Sequence, residues 1–505
     1  MSGGGCLMEV QERSVAALQE SMAQGESSAV EFCEAYLERI EEFDRAGPKL
    51  RSVIEVNPDA LEIAAELDRE RLERGPRGPL HGIPILVKDN IDSADRMMTT
   101  AGSLALEGNI APRDAFVVSR LRAAGAVLLG KTNLSEWANF RSQRSTSGWS
   151  SRGGQVRNPY ALDRSPCGSS SGSGVAAAAS LAAATVGTET DGSIVCPSAA
   201  NGVVGIKPTI GLVSRSGIVP ISHSQDTAGP MARTVEDAAT LLTALAGYDP
   251  RDPVTQEGVG KEADYRTCLD EGGLEGARLG VARTYFGKHE RVDEVIEEAI
   301  GRLEVLGAEI VDPVYVGDLS LFMEPEREIL HYEFKADLNA YLAEHPGARV
   351  RNLEEVIAFN EANADRVMPY FRQERHELAQ GKGDLSEQAY LEAKAECLRL
   401  ARTEGIDKAV REYRLDAIIA PTTTLPWLID LIGGDRSPGG CSSPAAMAGY
   451  PHITVPAGYA YGLPVGLSFF SGPYRECDLV RYAYAFEQAT RVRRPPTYLE
   501  HADLG

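Results

Sequence analysis

The chain has 505 residues, of which 43% are hydrophobic and 25% are charged. These fractions are ordinary for a soluble globular protein and exclude a disordered, collagen-like or coiled-coil chain. The length allows about three domains or one large α/β enzyme. Lysine and arginine number 51 against 73 acidic residues, so the net charge is -22. A nucleic-acid binder usually carries a basic excess, and an anionic membrane repels an acidic chain, so we expect neither partner.

The N-terminal residues and the cysteines bear on the compartment. Residues 1–6 contain neither the basic nor the apolar region of a signal peptide. The longest run of small apolar residues, 175–186, is too short and too rich in alanine to span a bilayer. The eight cysteines form no Cys-x-x-Cys pair, and the eight histidines do not cluster. The sequence therefore predicts a cytoplasmic protein with reduced, mostly buried thiols and no metal site.

Helix and strand patterns alternate in the first part of the chain. Ser28 and Glu31 form a capping box, after which apolar residues recur at helical spacing up to position 40. A second helix is predicted between Pro58 and Gly75. A buried strand at 83–87, a helix at 114–124 and a strand at 126–129 follow. A strand, a crossover helix and another strand are typical of an α/β sheet.

The remaining segments divide into one unusual loop, a second α/β unit and a helical region. Residues 142–174 are rich in Ser, Gly and Arg, which by composition predicts either a flexible linker or an ordered loop at a functional centre. Strands at 278–282 and 309–316 flank a helix at 293–306. Residues 320–412 are helical and charged, and apolar strands return at 417–420 and 453–455. No internal repeat of 20 to 50 residues is present.

Residues 125–132 match the P-loop expression G-x-x-x-x-G-K-[ST]. A phosphate cradle is a loop whose backbone N–H groups turn inward. Residues 126–129 instead have the pattern of an apolar strand, whose N–H groups belong in a sheet. We therefore expect no nucleotide site at Lys131.

Residues 168–172 match G-x-S-x-G, the nucleophile elbow of α/β-hydrolases, which would make Ser170 the nucleophile of an esterase. An elbow needs a strand directly before it, and Pro166 argues against a central strand there. The elbow also needs a histidine, for which His223 and His452 are the candidates. Neither histidine lies in a sequence context that supports this role.

A third pattern involves more residues. Ser193 follows a glycine turn, and such a turn can direct several backbone N–H groups to one point, as an oxyanion hole requires. Lys88 lies where an apolar strand ends. Burial lowers the pKa of a lysine, so Lys88 could act as the general base for a serine.

These motifs resemble the amidase signature family of serine hydrolases. The matching segments are 80–84, 88–89, 130–133, 168–173, 187–193, 202–209, 226–230 and 462–467. The resemblance implies an α/β fold in which one large domain, 1–505, has a mixed central β-sheet flanked by helices. Within that domain it implies a catalytic core at 80–245 and a helical layer at 320–412.

The resemblance also implies a cofactor-free, metal-free site. Ser193 would be the nucleophile of a Ser-Ser-Lys triad, and Ser169, after a cis peptide bond, would pass the proton between Ser193 and Lys88. Ser170 would support the network by hydrogen bonding. The backbone N–H groups of the oxyanion hole would come from Thr190, Asp191, Gly192 and Ser193.

One departure from the family pattern is informative, because Asp191 stands where most members have glycine. Together with segments 133–140, 147–149, 153–155, 332–335 and 445–451, it makes the chain similar to bacterial peptide amidases. Those enzymes hydrolyse the C-terminal carboxamide of peptides and release ammonia. Trp149 and Asp191 are candidate substrate contacts, with a buried structural tryptophan and a turn cap as the other interpretations.

Two other functions stay open within the same family. One is a general amidase for small amides, and the other is a glutaminase-type subunit that works only inside a tRNA-dependent amidotransferase complex. Cys167 and Cys196 lie close to the two serines in sequence and are interpreted as packing residues, because no base for a nucleophilic cysteine is evident. The sequence does not determine the oligomeric state.

Overall fold

A computed structural model of the chain describes residues 9–436 and 439–504. The strands within these ranges are β1 Val53–Val56, β2 Pro84–Lys88, β3 Val127–Thr132, β4 Trp149–Ser150, β5 Gly154–Gln155, β6 Ala184–Glu189, β7 Val204–Lys207, β8 Thr227–Ala232, β9 Arg278–Val281, β10 Glu309–Val311, β11 Ala417–Pro421, β12 His452–Ala460 and β13 Leu463–Phe470.

The α-helices of the same ranges are α1 Val15–Gln24, α2 Ala29–Arg39, α3 Ala60–Arg74, α4 Phe116–Ala123, α5 Ser171–Ala178, α6 Val195–Ala200, α7 Val235–Leu245, α8 Glu290–Val305, α9 Met323–Ala343, α10 Leu353–Ala362, α11 Ala364–Val367, α12 Glu374–Gln380, α13 Gln388–Leu398, α14 Asp407–Tyr413, α15 Ser443–Ala448 and α16 Glu476–Thr490.

Eleven of the described strands form one mixed sheet in the order β1-β3-β2-β6-β8-β7-β12-β13-β11-β9-β10. Strand β2 pairs in parallel with both β3 and β6, whereas β12 and β13 form an antiparallel pair. Helices pack on this sheet, so the predicted α/β fold with a mixed central sheet is confirmed. The remaining two strands, β4 and β5, form a short antiparallel pair.

Local sequence signals account for the first elements. The predicted capping box is present at α2, where Ser28 and Glu31 bond each other's backbone N–H groups, and α3 ends directly before Gly75. The predicted strand, helix and strand appear as β2, α4 and β3. Strand β3 is longer than expected, because Lys131 and Thr132 still pair with β2. The residues that match the P-loop expression therefore lie in a sheet ladder.

The later segments differ in part from expectation. Residues 142–174 are ordered, with β4 and β5 inside them and α5 at their end, so the flexible-linker interpretation is wrong. Residues 320–412 contain helices α9 to α13 and no strand. Strand β10 ends at Val311, well before the predicted 316, and a cis peptide bond joins Asp312 to Pro313.

Helix α5 is buried along its whole length. A Cβ atom at Gly172 would lie 2.3 Å from the backbone oxygens of both Asn133 and Ser52. Only a residue without a side chain allows this close approach. The Ser-, Gly- and Ala-rich sequence that resembles a linker is therefore what a tightly packed central helix requires.

The expectation of reduced thiols is wrong for four cysteines. Disulfide bonds join Cys167 to Cys196 and Cys268 to Cys477. The thiols of Cys33, Cys397 and Cys441 are free and buried, while Cys6 and the rest of segment 1–6 lie outside the described residues. Within the described ranges, none of the helices has the length and apolar character needed to cross a membrane.

Candidate active site

Sheet topology brings the predicted site residues to one edge of the sheet. Lys88 is the last residue of β2, and the neighbouring parallel strand β6 ends at Glu189. Ligand and catalytic sites of such sheets form at the carboxyl ends of their parallel strands. Ser169 lies just before helix α5, and the predicted cis peptide bond is present between Gly168 and Ser169.

The Lys88 side chain is fully buried and contacts oxygen atoms only. Its Nζ lies 2.8 Å from Ser169 Oγ, 3.0 Å from Ser170 Oγ and 2.8 Å from Thr188 Oγ1. The backbone oxygen of Thr188 lies 3.3 Å away. We call Lys88, Ser169, Ser170 and Thr188 the lysine–serine cluster.

Burial lowers the pKa of Lys88 to about 7, although the more distant carboxylates of Asp226 and Glu189 act in the opposite direction. A charged ammonium loses its hydration in such a site, which favours the neutral amine. Near neutral pH a substantial fraction of the enzyme therefore carries Lys88 with a free lone pair, the state that a general base requires.

Hydrogen-bond accounting assigns a direction to that lone pair. Ser170 Oγ donates its single proton to the backbone oxygen of Thr188 at 2.9 Å, so it can only accept from Lys88. A neutral amine has two protons. If one goes to Ser170 and the other to Thr188 Oγ1, the lone pair faces the hydroxyl of Ser169.

Ser193 lies in the turn between β6 and α6. Gly192 has φ of 78°, a left-handed conformation that glycine adopts without steric cost. Ser193 is 7% exposed, and its hydroxyl has no hydrogen-bond partner among the described residues. Its backbone oxygen accepts from the N–H of Ser170 at 3.2 Å, which ties the Ser193 turn to the lysine–serine cluster.

Glu189 holds this turn in place, and sequence reasoning missed it. Its buried carboxylate accepts from the N–H groups of Gly192 at 2.9 Å, Ile194 at 2.7 Å and Val195 at 3.0 Å. Burial raises the pKa of Glu189, and the nearby Lys207 opposes that shift. The only sequence signal is an acidic residue at the end of an apolar strand.

The same contacts bear on the predicted oxyanion hole. Because the Gly192 N–H donates to Glu189, it is engaged in this structure. The N–H groups of Asp191 and Ser193 have no acceptor in the described part of the chain. The Thr190 side chain donates to Asp226 at 2.6 Å, which fixes the start of the turn.

Asp191 lies beside a second carboxyl group that the sequence pattern did not indicate. Its Oδ2 accepts from Ser443 at 2.7 Å. Glu326, on helix α9, accepts from Gln225 at 2.8 Å. Burial and the adjacent Asp191 raise the pKa of Glu326 well above its usual range, so Glu326 is protonated and Asp191 carries the negative charge of the pair.

Two cavities approach the site from different directions. A cavity of about 220 Å³ is bordered by Gly168, Asp191 and Gly192, the neighbours of both serines, and we call it the cleft cavity. Another, of about 310 Å³, is bordered by Thr188 and Asp226. Because the cleft cavity touches the turn that carries Ser193, it is the candidate for substrate.

The disulfide of Cys167 and Cys196 lines the cleft cavity. Cys167 directly precedes Gly168, and Cys196 lies in the first turn of α6 after Ser193. These two cysteines were expected to be packing residues, and the structure corrects this to a covalent link between the segments that carry Ser169 and Ser193.

Trp149 is buried and does not border the cleft cavity. Its ring packs edge-on against Tyr370 and Phe371, with centroids 5.7 and 5.1 Å away. The guanidinium of Arg141 lies 5.2 Å from the same ring. These contacts are those of a structural tryptophan.

The histidines proposed for an elbow lie apart from Ser170. His452 is buried on β12 and bonds Ser468 at 2.6 Å. His223 lies between two carboxylates, with Nδ1 2.9 Å from Asp337 and Nε2 3.2 Å from Glu333. Strand character is also missing before Ser170, since 164–167 forms only an isolated bridge at Arg164.

Within the described residues, His223, Glu333 and Asp337 also form the one group with metal-ligand spacing. Burial alone would lower the pKa of His223, but Asp337 and Glu333 raise it. With a carboxylate at each ring nitrogen, the arrangement suits a protonated imidazolium that bridges two acids. A metal ligand would need one of those nitrogens free of a proton.

Comparison with known proteins agrees with the site geometry. The family model described as amidase matches residues 31–480. A probable amidase of Arabidopsis thaliana is 41% identical, over 97% of this chain and 92% of the relative. The chain therefore belongs to the amidase family, whose signature enzymes hydrolyse amide C–N bonds and are characterised by a Ser-Ser-Lys triad.

Solved structures include a similar peptide amidase. Its complex with the competitive inhibitor chymostatin is 54% identical, with a TM-score of 0.94 over 96% of this chain and 99% of that one. The native peptide amidase of Stenotrophomonas maltophilia is 53% identical, with a TM-score of 0.92 over 97% and 99%. A glutamyl-tRNA(Gln) amidotransferase component of Halorhodospira halophila is 36% identical over 95% and 97%.

Proposed function

We propose that this amidase removes the C-terminal carboxamide of peptides and releases ammonia, with Lys88, Ser169 and Ser193 as the catalytic residues. The observation that carries the proposal is the buried Lys88 at 2.8 Å from Ser169, in a chain 54% identical to a solved peptide amidase. Residues 80–245 form the catalytic core in this proposal, and 320–412 form a helical layer over it.

The reaction begins with proton transfer. Neutral Lys88 takes the proton of Ser169, and Ser169 takes that of Ser193, whose oxygen attacks the carboxamide carbon. The carbonyl oxygen becomes negative and is held by the backbone N–H groups of the turn, chiefly those of Asp191 and Ser193. Donors fixed in advance stabilise this charge without reorganisation.

The remaining steps return the proton. Lys88 gives the proton back through Ser169 to the leaving nitrogen, the C–N bond breaks, and ammonia departs from an acyl-Ser193 ester. Water then attacks the ester, and its proton follows the same path to Lys88 and then to Ser193. Ser170 and Thr188 keep the Lys88 lone pair directed at Ser169 throughout. No cofactor, metal, nucleic acid or membrane partner is required.

Features of the cleft cavity support a peptide on the acyl side. Trp427 borders the cavity, and the loop that carries it also bears Leu428 and Ile432, which are 56% and 87% exposed. Apolar side chains at the rim of a cleft can bind the side chains of a substrate. Asp191 adds a carboxylate in the cavity wall, close to the point of attack.

The test compares three substrates by ammonia or amine release: a peptide amide, the same peptide as its N-methylamide, and a simple aliphatic amide. We expect the peptide amide to have the highest kcat/KM and the N-methylamide to be poor, because the leaving side must accept only –NH₂. An aliphatic amide preferred by tenfold or so, about 1.4 kcal/mol, would instead support a general small-amide amidase.

A second candidate function is the glutaminase component of an amidotransferase complex, favoured by the 36% identity to a glutamyl-tRNA(Gln) amidotransferase chain. Such a component would need partner chains for full activity. Ammonia release from amides by the purified chain alone, at a rate that partner proteins do not raise, would argue against it.

We propose a cytoplasmic location, and the two disulfides are the observation against it, because disulfides persist mainly in oxidising compartments. Eight cysteines less the four in the two bridges leave four free thiols. A thiol count on denatured protein from the native host would give four if the bridges form there, and eight in a fully reduced protein.

A further inference from the structure

Asn139 lines the cleft cavity together with Ser147 and Asp191. It is the last of three consecutive residues with left-handed backbone, Trp137, Ala138 and Asn139, at φ of 52°, 51° and 71°. Asparagine tolerates this conformation better than most residues. The turn places the Asn139 amide in the wall of the cavity, and neither the motifs nor the proposed mechanism gives it a role.

A chain of hydrogen bonds fixes the orientation of that amide. The buried carboxylate of Asp435 accepts from Trp427 Nε1 at 2.9 Å and from Ser147 Oγ at 2.5 Å. Ser147 has one hydroxyl proton, and this contact uses it. Ser147 Oγ must therefore accept from its other neighbour, Asn139 Nδ2, at 2.9 Å. The amide nitrogen of Asn139 thus points to Ser147, and Oδ1 points away.

Asn139 Oδ1 is buried and has no hydrogen-bond partner among the described residues. Buried acceptors without a donor are rare in folded proteins, because each loses its hydration without compensation. Asp191 Oδ1 is in the same condition, but the protonated Glu326 lies beside that carboxylate and can supply a proton to it. Asn139 has no comparable donor nearby among the residues that the structure describes.

We infer that Asn139 Oδ1 is a specificity determinant that accepts a hydrogen bond from the backbone N–H on the acyl side of the substrate, at the residue that bears the carboxamide. This inference rests on the proposed function and narrows its substrate class. The enzyme would prefer amides of N-acylated amino acids and of peptides over carboxamides of equal size that lack this N–H.

The experiment compares two substrates that differ in one atom. One is N-acetylphenylalaninamide, and the other is its ester analogue, the O-acetyl derivative of 3-phenyllactamide, in which oxygen replaces the N–H. Only ammonia release is measured, so hydrolysis of the ester bond itself does not enter the result. We expect the wild-type enzyme to favour the N–H substrate in kcat/KM by about tenfold or more, because an oxygen there also repels Asn139 Oδ1.

The matched variant is Asn139→Gly, which removes the amide and keeps the left-handed backbone free of strain. We expect its N–H to ester ratio to fall to within about threefold of unity. Thr423→Val changes another residue that borders the same cavity and should retain the wild-type ratio. Because each ratio is taken within one protein, a loss of folded enzyme cancels from it.

Three outcomes would overturn the inference. A wild-type ratio near one would show that no group reads the N–H, and this result needs no variant to fold. A high ratio that persists in Asn139→Gly would assign the contact to another residue or to a bound water. Both are compatible with peptide amidase activity. Absence of ammonia from either substrate, and from longer peptide amides, would remove the proposed function itself and the inference with it.

Discussion

Two fully buried lysines, Lys88 and Lys131, lie on the neighbouring parallel strands β2 and β3, where Val87 is paired with Lys131. Lys88 is surrounded by hydroxyl groups and one backbone oxygen. Lys131 Nζ contacts the backbone oxygen of Ile91, and Thr99 Oγ1 at 3.2 Å.

The two surroundings differ chiefly in charge. Burial lowers the pKa of Lys131 too, but Asp89 and Asp92 are the largest of four carboxylates that oppose the shift. For Lys88 the opposing carboxylates, Asp226 and Glu189, make no hydrogen bond to the amine. Equal burial therefore produces a structural cation in one place and a candidate base in the other, and the neighbouring groups decide which.

The largest effect is expected when the residue that Lys88 serves is removed. Ser193→Ala should lower kcat/KM by about 10⁴-fold or more, as loss of a nucleophile does in other serine hydrolases. The melting temperature should stay unchanged, since the Ser193 hydroxyl has no partner among the described residues. Mass spectrometry of a covalent serine inhibitor adduct should locate the label on Ser193, and a label on Ser170 would restore the elbow hypothesis.

Substituting each lysine by methionine tests the comparison directly. Lys88→Met should lower kcat/KM by about 10³-fold or more with little loss of stability, because its hydroxyl neighbours can rotate to other acceptors. Lys131→Met should lower the free energy of unfolding by about 2–3 kcal/mol, because a buried carbonyl loses its donor, and should retain activity within about tenfold. Denaturant titration and ammonia release measure the two quantities, and the opposite pattern would reverse the assignment.

The disulfide beside the lysine–serine cluster has a remote counterpart that serves as its control. Replacing Cys167 and Cys196 by serine should lower the free energy of unfolding by about 3–4 kcal/mol for a separation of 29 residues, and should also lower kcat. The Cys268 and Cys477 double variant should lose stability without loss of kcat, because that bridge does not border the cleft cavity. An unchanged kcat in the first variant would contradict a positioning role for the bridge.

The pH dependence of the reaction reports the charge of Lys88. Its pKa is lowered to about 7, and only the neutral amine can take a proton, so activity should rise with pH. We expect kcat/KM to fall about tenfold per pH unit below 7 and to level off above it. A rising limb that continues toward 10.5, the ordinary pKa of lysine, would show that burial does not tune this residue.

The smallest effects are expected at the histidines, because the lysine–serine cluster contains none. Each of the eight, replaced one at a time by glutamine or asparagine, should leave kcat/KM of the folded enzyme within about tenfold. His223 and His452 are the most informative positions. A loss of about 10³-fold at either, in a protein whose circular dichroism is unchanged, would contradict a base made of lysine and serine.

Much of the fold and site could be predicted because their signals are local. The capping box at Ser28, the stop at Gly75 and the strand that rules out a nucleotide cradle at Lys131 each depend on a few adjacent residues. The order of the motifs, from Lys88 through Ser169 to Ser193, also determined the family. Burial of Lys88 follows from its place at the end of an apolar strand.

Only the tertiary structure decided the contacts between segments that are distant in the sequence. Cys268 meets Cys477 across 209 residues, and Glu326 on α9 reaches Asp191 beside the nucleophile. Asp435 orients Ser147 and, through it, Asn139. Such contacts depend on the strand order, in which β12 and β13 lie between β7 and β11. Residue spacing along a chain carries no information about that order, so the base could be identified from sequence while the groups that position substrate could not.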